Sequence, residues 1–379
     1  MAGDRPQTLL DKLRSLGQVD CDTFDVEVAK KLGPFVDCTS NQAIAYHELI
    51  RITADSLPVN GNSTNKEEKE EVRVHEQLIR DSVACAATLP DKGGKLFGAD
   101  VVGAAELAVE VMMVKLALRI VPYLSGYSHV QTNPKYAYDQ GKTVENARRI
   151  IEIFKLLDPS YDAQNRVCIK IPATWEGMQA CRELESPSSS SGEVRIATLA
   201  TTMFCKEQAL LAAHVGCTYI APYINELRVH FDPGFVDEAK AFAFSATAQA
   251  YYDAHADTIK TRLLPASLTS IQEVMMLAGS HHITVSPPLL AKLAETPADP
   301  WADAELTGSV MGTSEVKQAA QGWGTSEEDK AILKDEGKWK EAFAKSMGGK
   351  AQAKIVQAVE IFGEKQEGLE EIARSVAGG

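Results

Sequence analysis

Eight short apolar runs, starting at about Val19, Phe35, Leu124, Val167, Val194, Cys217, Arg262 and His282, punctuate the chain. Segments of helical periodicity separate them. A strand that is apolar on both faces is covered on both faces, which predicts a parallel sheet sheathed by helices. Eight such units fit a closed (β/α)8 TIM barrel better than an open doubly wound sheet, and no GxGxxG follows the first run. The 379 residues then read as one domain. The barrel spans about 17–295, with an extra N-terminal helix and a C-terminal helical extension over about 300–379 packed on the outside. Gly348-Gly349 separates the last long helical pair.

Helical patterns are expected over Thr8–Leu16, Val26–Leu32 (stopped by Gly33-Pro34), Ala43–Leu57, Glu70–Leu89 and Ala104–Val121. Further ones cover Thr143–Leu157 with Thr143 as N-cap, Trp175–Leu184, Lys206–Val215, Val236–His255, Ile271–Ala278 and Pro288–Leu293. Asn60–Lys69 and the serine-rich Ser188–Ser191 read as surface loops, and the charge run Lys66–Glu71 as a solvated helix start.

The formal net charge of −13 argues against nucleic acid or an anionic membrane as the main partner. No run of about 18 uncharged apolar residues predicts a membrane span. The N-terminus lacks the apolar core of a signal peptide. Seven scattered cysteines, odd in number and without a CxxC pair, suit reduced core thiols and a cytoplasmic protein.

One run carries a charge where charge is costly. In Arg166-Val167-Cys168-Ile169-Lys170-Ile171-Pro172-Ala173-Thr174-Trp175-Glu176-Gly177, a lysine interrupts an apolar strand that turns into a helix. A buried ammonium must be paired, neutralised or used, and a neutral amine is a nucleophile toward carbonyls. The competing reading is a lysine whose head reaches water at the strand end. In a barrel the reacting groups gather at the C-terminal ends of the strands. Asp22, Asn41, Gln131, Lys170, Thr201 and Tyr223 stand there, with Ser286 as a weaker candidate. An amine, a carboxylate to move protons and neutral groups to hold a water are what Schiff-base chemistry requires. His281-His282 reads as surface rather than as a metal site, since no carboxylate or cysteine has ligand spacing with it.

Ile169-Lys170-Ile171-Pro172-Ala173-Thr174-Trp175-Glu176-Gly177 resembles the lysine motif of the transaldolases. Asp22-Thr23-Phe24-Asp25, Asp37-Cys38-Thr39-Ser40-Asn41 and Ala200-Thr201-Thr202-Met203-Phe204 resemble their first-, second- and fifth-strand motifs. Ile220-Ala221-Pro222-Tyr223 and Pro265-Ala266-Ser267-Leu268 resemble the sixth and seventh. The resemblance implies an enzyme that transfers or cleaves a three-carbon ketol unit without metal or organic cofactor. Lys170 would form the Schiff base, Asp22 would be the acid/base, Asn41 would hold a hydroxyl, and Thr201 would position a water. Thr39 and Ser267, in matching motifs, join the substrate-binding candidates.

The departures from that pattern are specific. Gln131 stands where transaldolases carry glutamate, and Tyr223 where they carry phenylalanine. This pairing resembles that of the fructose-6-phosphate aldolases. Gln42 replaces the proline after Asn41, and Ala221 a serine. Glu226 and Thr269 replace the two arginines that hold the terminal phosphate, with Arg228 as the only nearby substitute. The expectation is a sugar or ketose-like substrate, unphosphorylated or held differently, and a protein within reach of the homodimeric state. An ordinary transaldolase of the pentose phosphate pathway is the alternative. A rival from another class is a non-catalytic barrel that binds without reacting. A metal-dependent aldolase fits poorly, because no histidine cluster lies at the strand ends.

Overall fold

A computed structural model of the protein describes residues 7–52, 73–92, 94–189, 192–299 and 309–378. The expected loop over 60–69, the charge run 66–71 and part of the serine loop lie outside these residues, while the helix expected over Ala43–Leu57 is shorter and ends at Leu49.

Eight parallel strands among the described residues form one sheet: β1 (Gln18–Asp22), β2 (Cys38–Thr39), β3 (Ser128–Gln131), β4 (Val167–Pro172), β5 (Ala197–Met203), β6 (Tyr219–Pro222), β7 (Arg262–Leu263) and β8 (His282–Val285). Each pairs with its sequence neighbour, and β1 pairs with β8. Thr284 N donates to Pro265 O at 3.2 Å and ties β8 to the end of β7. The result is a nearly closed (β/α)8 barrel. Alternation along each strand separates two layers. Val167, Ile169 and Ile171 face outward into a core shared with the helices. Cys168, Ala197, Leu199, Tyr219, Ala221 and Leu264 fill the interior.

Several element boundaries differ from those their sequence patterns suggest. Phe35 makes only an isolated bridge with Leu124, and β2 begins at Cys38. The Asp37 carboxylate takes the Tyr127 amide at 2.7 Å, so a side chain holds the first turn of β2–β3 pairing. Val194 is exposed, and its strand begins at Ala197. The helix expected from Thr143 starts at Gln140 and is capped by Asp139, which accepts from Lys142 N at 3.0 Å. Thr143 is interior to that helix and donates its hydroxyl to Tyr136 O at 2.8 Å. The helix expected from Val236 begins at Phe242, because Asp237 accepts the amides of Glu226 and Ala239 instead. Lys206–Val215 is helical as the pattern indicates, closed by Gly216 at φ 84°.

The C-terminal extension contributes helices Ser314–Gln321, Glu327–Ile332, Glu336–Lys345 and Lys350–Ala377. Gly348 and Gly349 turn the chain between the last two with φ of 65° and 88°. The expectation that this extension packs only on the outside is corrected by the final helix. It crosses the C-terminal end of the barrel and lays Phe362 into the wall of the cavity there. Lys354 fastens it, with Nζ 2.6 Å from Asp237 Oδ2 and 2.9 Å from Ala239 O. Both side chains are about 95% buried. Gln357 adds a hydrogen bond from Nε2 to Glu226 Oε1 at 3.1 Å.

Candidate active site

Lys170 lies on β4 with its side chain inside the barrel and 2% of its surface exposed. Its register partners are Gln131 on β3 and Leu199 on β5. Nζ stands 5.8 Å from the centre of the Tyr223 ring. Among the described residues no carboxylate or carbonyl accepts a hydrogen bond from it. The stretch after it fixes the strand-to-helix turn. Thr174 caps the next helix, its hydroxyl oxygen accepting from Gly177 N at 2.9 Å and its proton going to Ala137 O. Gly177 is required by close approach, since a Cβ there would run into the Pro172 carbonyl.

Asp22 ends β1. Its Oδ1 accepts from Thr39 Oγ1 at 2.6 Å, and the Thr39 and Thr284 hydroxyls are 2.6 Å apart, so three strands hold one carboxylate. Asn41 caps the helix Gln42–Leu49, accepting from Ile44 N at 3.0 Å. Its Oδ1 is thereby engaged, while Nδ2 makes no hydrogen bond among the described residues. Gln131 and Thr201 are buried, and the Gln131 amide oxygen and nitrogen and the Thr201 hydroxyl have no partner among the described residues. Each such group costs about 1–3 kcal/mol when left unsatisfied, which marks a place for a water or a substrate atom. A bulge helps aim Thr201. Thr201 pairs with Ala221 and Met203 with Pro222, leaving Thr202 as the extra residue at φ 57°.

A cavity of about 370 Å³ opens at this end of the barrel. Asp22, Asn41, Lys170, Tyr223, Ser267 and Ser286 supply its polar edge. Phe24, Ile44, Leu227, Phe231 and Phe362 supply an apolar wall, with His47, Glu48 and His230 among them. Ser267 sits at φ 60°, a conformation unfavourable for a side chain, and its Oγ is 2.9 Å from His230 Nε2. Burial holds the imidazoles of His230 and His47 below their ordinary pKa, favouring the neutral form.

Other candidates do not border this cavity. Thr39 lies beneath it as the support of Asp22. Glu226 accepts from Gln357, while Arg228 pairs with Asp232 and stacks 4.3 Å over the Phe235 ring. Thr269 gives its amide and hydroxyl to Glu273 Oε2, at 2.7 and 3.0 Å. Asp25 caps the helix Val26–Leu32 and pairs with Arg51 at 2.8 Å.

Sequence reasoning missed the layer below. His282 is 1% exposed rather than on the surface, which corrects the expectation for it. Its Nδ1 lies 2.9 Å from Asp20 Oδ2, and Asp37 Oδ2 lies 2.9 Å from His129 Nε2. Burial pushes the Asp20 carboxyl up. Burial also opposes ionisation of Asp37, but the contacts with His129, His282 and the Tyr127 amide outweigh it and hold its pKa low. The period of two was the available signal: Asp20, Asp37, His129 and His282 each precede an inward-facing residue by two. The missed contributors to the cavity, Phe362 above all, come from beyond the barrel and carry no local signal.

The family model described as Transaldolase/Fructose-6-phosphate aldolase matches residues 19–349. Transaldolase B of Pasteurella multocida (strain Pm70) is 26% identical over 379 aligned residues, covering 96% of this chain and 98% of that protein. A transaldolase of Alteromonas mediterranea is 28% identical over 303 residues, covering 76% of this chain and 80% of its own. Among solved structures, an IMP dehydrogenase/GMP reductase-like protein from Corynebacterium glutamicum matches with a TM-score of 0.37 and 12% identity, over 76% of this chain and 71% of that one. A likeness that low supports no inference.

Proposed function

The chain belongs to the transaldolase/fructose-6-phosphate aldolase family, and from that premise we propose that Lys170 is the amine on which its aldol transfer runs. The observation that carries this reading is the Lys170 amine itself: buried, unpaired among the described residues, and inside the barrel beside neutral polar groups. In this proposal Nζ attacks the ketose carbonyl and water leaves, giving a Schiff base. Asp22 takes the proton from the neighbouring hydroxyl as the carbon–carbon bond breaks, and an enamine remains on the lysine. An acceptor aldehyde adds to the enamine and its oxygen recovers the proton through Asp22. Water then releases the product. Thr39 and Thr284 keep the Asp22 carboxylate aimed. Asn41 and Ser267 hold substrate hydroxyls, while Gln131, Thr201 and Tyr223 hold the water.

We further propose that the substrate carries no terminal phosphate at this site. Lys170 is the only lysine or arginine among the described residues that border the cavity, and Asp22 and Glu48 add negative charge to its wall. An arginine–phosphate contact gives about 1.5–3 kcal/mol, so lacking two weakens a phosphorylated sugar by roughly a hundredfold or more. The test compares kcat/KM for fructose 6-phosphate and for the free ketose, in wild type and in Lys170→Met. Preference for the free sugar and loss of turnover in Lys170→Met are expected. Preference for the phosphorylated sugar would return Arg228 to consideration as an anchor. A cytoplasmic homodimer completes the proposal, supported for the compartment by seven free cysteines. Light scattering of the purified protein tests the dimer.

A further inference from the structure

Beside its polar edge the cavity carries apolar side chains that suit a carbon skeleton. Phe24 follows β1, Ile44 lies on the helix after β2, Leu227 and Phe231 flank the turn after β6, and Phe362 arrives from the final helix. These five converge from four separate parts of the chain, and Phe24, Leu227 and Phe362 are buried at 6% exposure or less. A polyhydroxylated chain placed there would lose water from its hydroxyls with few groups to replace it. Two of the polar groups beside these side chains already have partners. His230 Nε2 is engaged with Ser267 Oγ, and Glu48 Oε1 lies 2.6 Å from His75 Nε2.

We propose that the acceptor aldehyde of this enzyme has an apolar body, aromatic or branched aliphatic, whose carbonyl faces Lys170 and whose skeleton packs against Phe231 and Phe362. The inference rests on the Schiff-base reading above and adds the substrate class. The step balances without a further reactant. Nζ condenses with dihydroxyacetone and water leaves, and Asp22 takes a proton from the carbon beside the iminium to give the enamine. That carbon bonds to the aldehyde carbon while the aldehyde oxygen takes the proton back from Asp22. Water hydrolyses the iminium to return the amine and release a ketone. Packing one phenyl ring against such a wall strengthens the productive complex by roughly tenfold to a hundredfold.

The experiment uses the full chain with dihydroxyacetone as donor and compares kcat/KM for phenylacetaldehyde and glyceraldehyde 3-phosphate as acceptors. Phenylacetaldehyde is expected to be preferred by roughly tenfold or more, and Phe362→Ala to lower that ratio by about tenfold. Phe231→Ala, at a half-buried position that tolerates truncation, gives the same readout if Phe362→Ala does not fold. A borohydride-trapped dihydroxyacetone adduct together with preference for the phosphorylated aldehyde, or a ratio unmoved in a folded variant, overturns the apolar acceptor and leaves the Schiff base standing. Absence of any trapped adduct overturns both.

Discussion

Replacing Lys354 by methionine is the perturbation that most directly asks whether the final helix is fastened over the cavity. Lys354 and Asp237 are both about 95% buried, with Nζ 2.6 Å from the carboxylate. Removing one member of a buried pair costs about 3–5 kcal/mol, because the other charge is left uncompensated. Here Asp237 keeps two amide donors, Glu226 N at 2.7 Å and Ala239 N at 2.8 Å, which places the loss near the lower end, at about 3 kcal/mol. With 379 residues at about 2.1 cal/mol/K each, the unfolding entropy is about 0.8 kcal/mol/K, so Tm should fall by about 4 °C. Differential scanning calorimetry reads that shift, and hydrogen exchange should show it concentrated in Lys350–Ala377 and the turn after β6. The double variant Lys354→Met/Asp237→Asn removes the stranded charge but also one of the two amide acceptors, so its loss should fall short of the sum of the two single losses. The sign with pH follows from Asp237. Burial pushes its carboxyl up, but the bond from Lys354 and the two amides outweigh this and hold the folded-state pKa below its ordinary value. The pair's contribution is therefore present above about pH 4 and fades as pH falls through the folded value, so wild type and Lys354→Met should converge in acid. A Tm change under about 1 °C, or strict additivity in the double variant, would refute the reasoning.

Asp22→Ala should cut turnover by roughly 10²–10⁴ without lowering Tm appreciably, and near-normal turnover would remove Asp22 from the proton-transfer role. Thr39→Val deprives Asp22 of its 2.6 Å donor and should lower kcat more than it raises KM, with Thr39→Ser restoring most of the loss. Tyr223→Phe should depress direct aldol cleavage more than transfer between sugars, read as the ratio of the two rates on one ketose. Equal loss of both would contradict a water-holding hydroxyl.

The barrel was legible because its strands are covered on both faces: Val167, Ile169 and Ile171 had to face helices, which left Cys168 and Lys170 to the interior. Ends were less legible, since side chains there replace backbone partners. Asp37 takes the Tyr127 amide and delays β2, and Asp139 rather than Thr143 caps its helix. Lys170, Asp22, Asn41 and Tyr223 could be gathered from strand position alone, because a parallel barrel brings all its strand ends to one rim. Phe362 could not, since it lies far beyond the last strand and nothing in its own helix says which surface that helix crosses. His282 reads as surface from the sequence because no carboxylate lies near it in the chain. It is buried because Asp20 on the adjacent strand, 262 positions away in sequence, supplies the partner that makes burial tolerable.

Reductive trapping tests the central claim most directly. The protein is incubated with dihydroxyacetone, reduced with borohydride, digested and read by tandem mass spectrometry. The account predicts one reduced three-carbon adduct on Lys170, absent from Lys170→Met, which should still melt cooperatively. An adduct on another lysine, or trapping that persists in Lys170→Met, would contradict it.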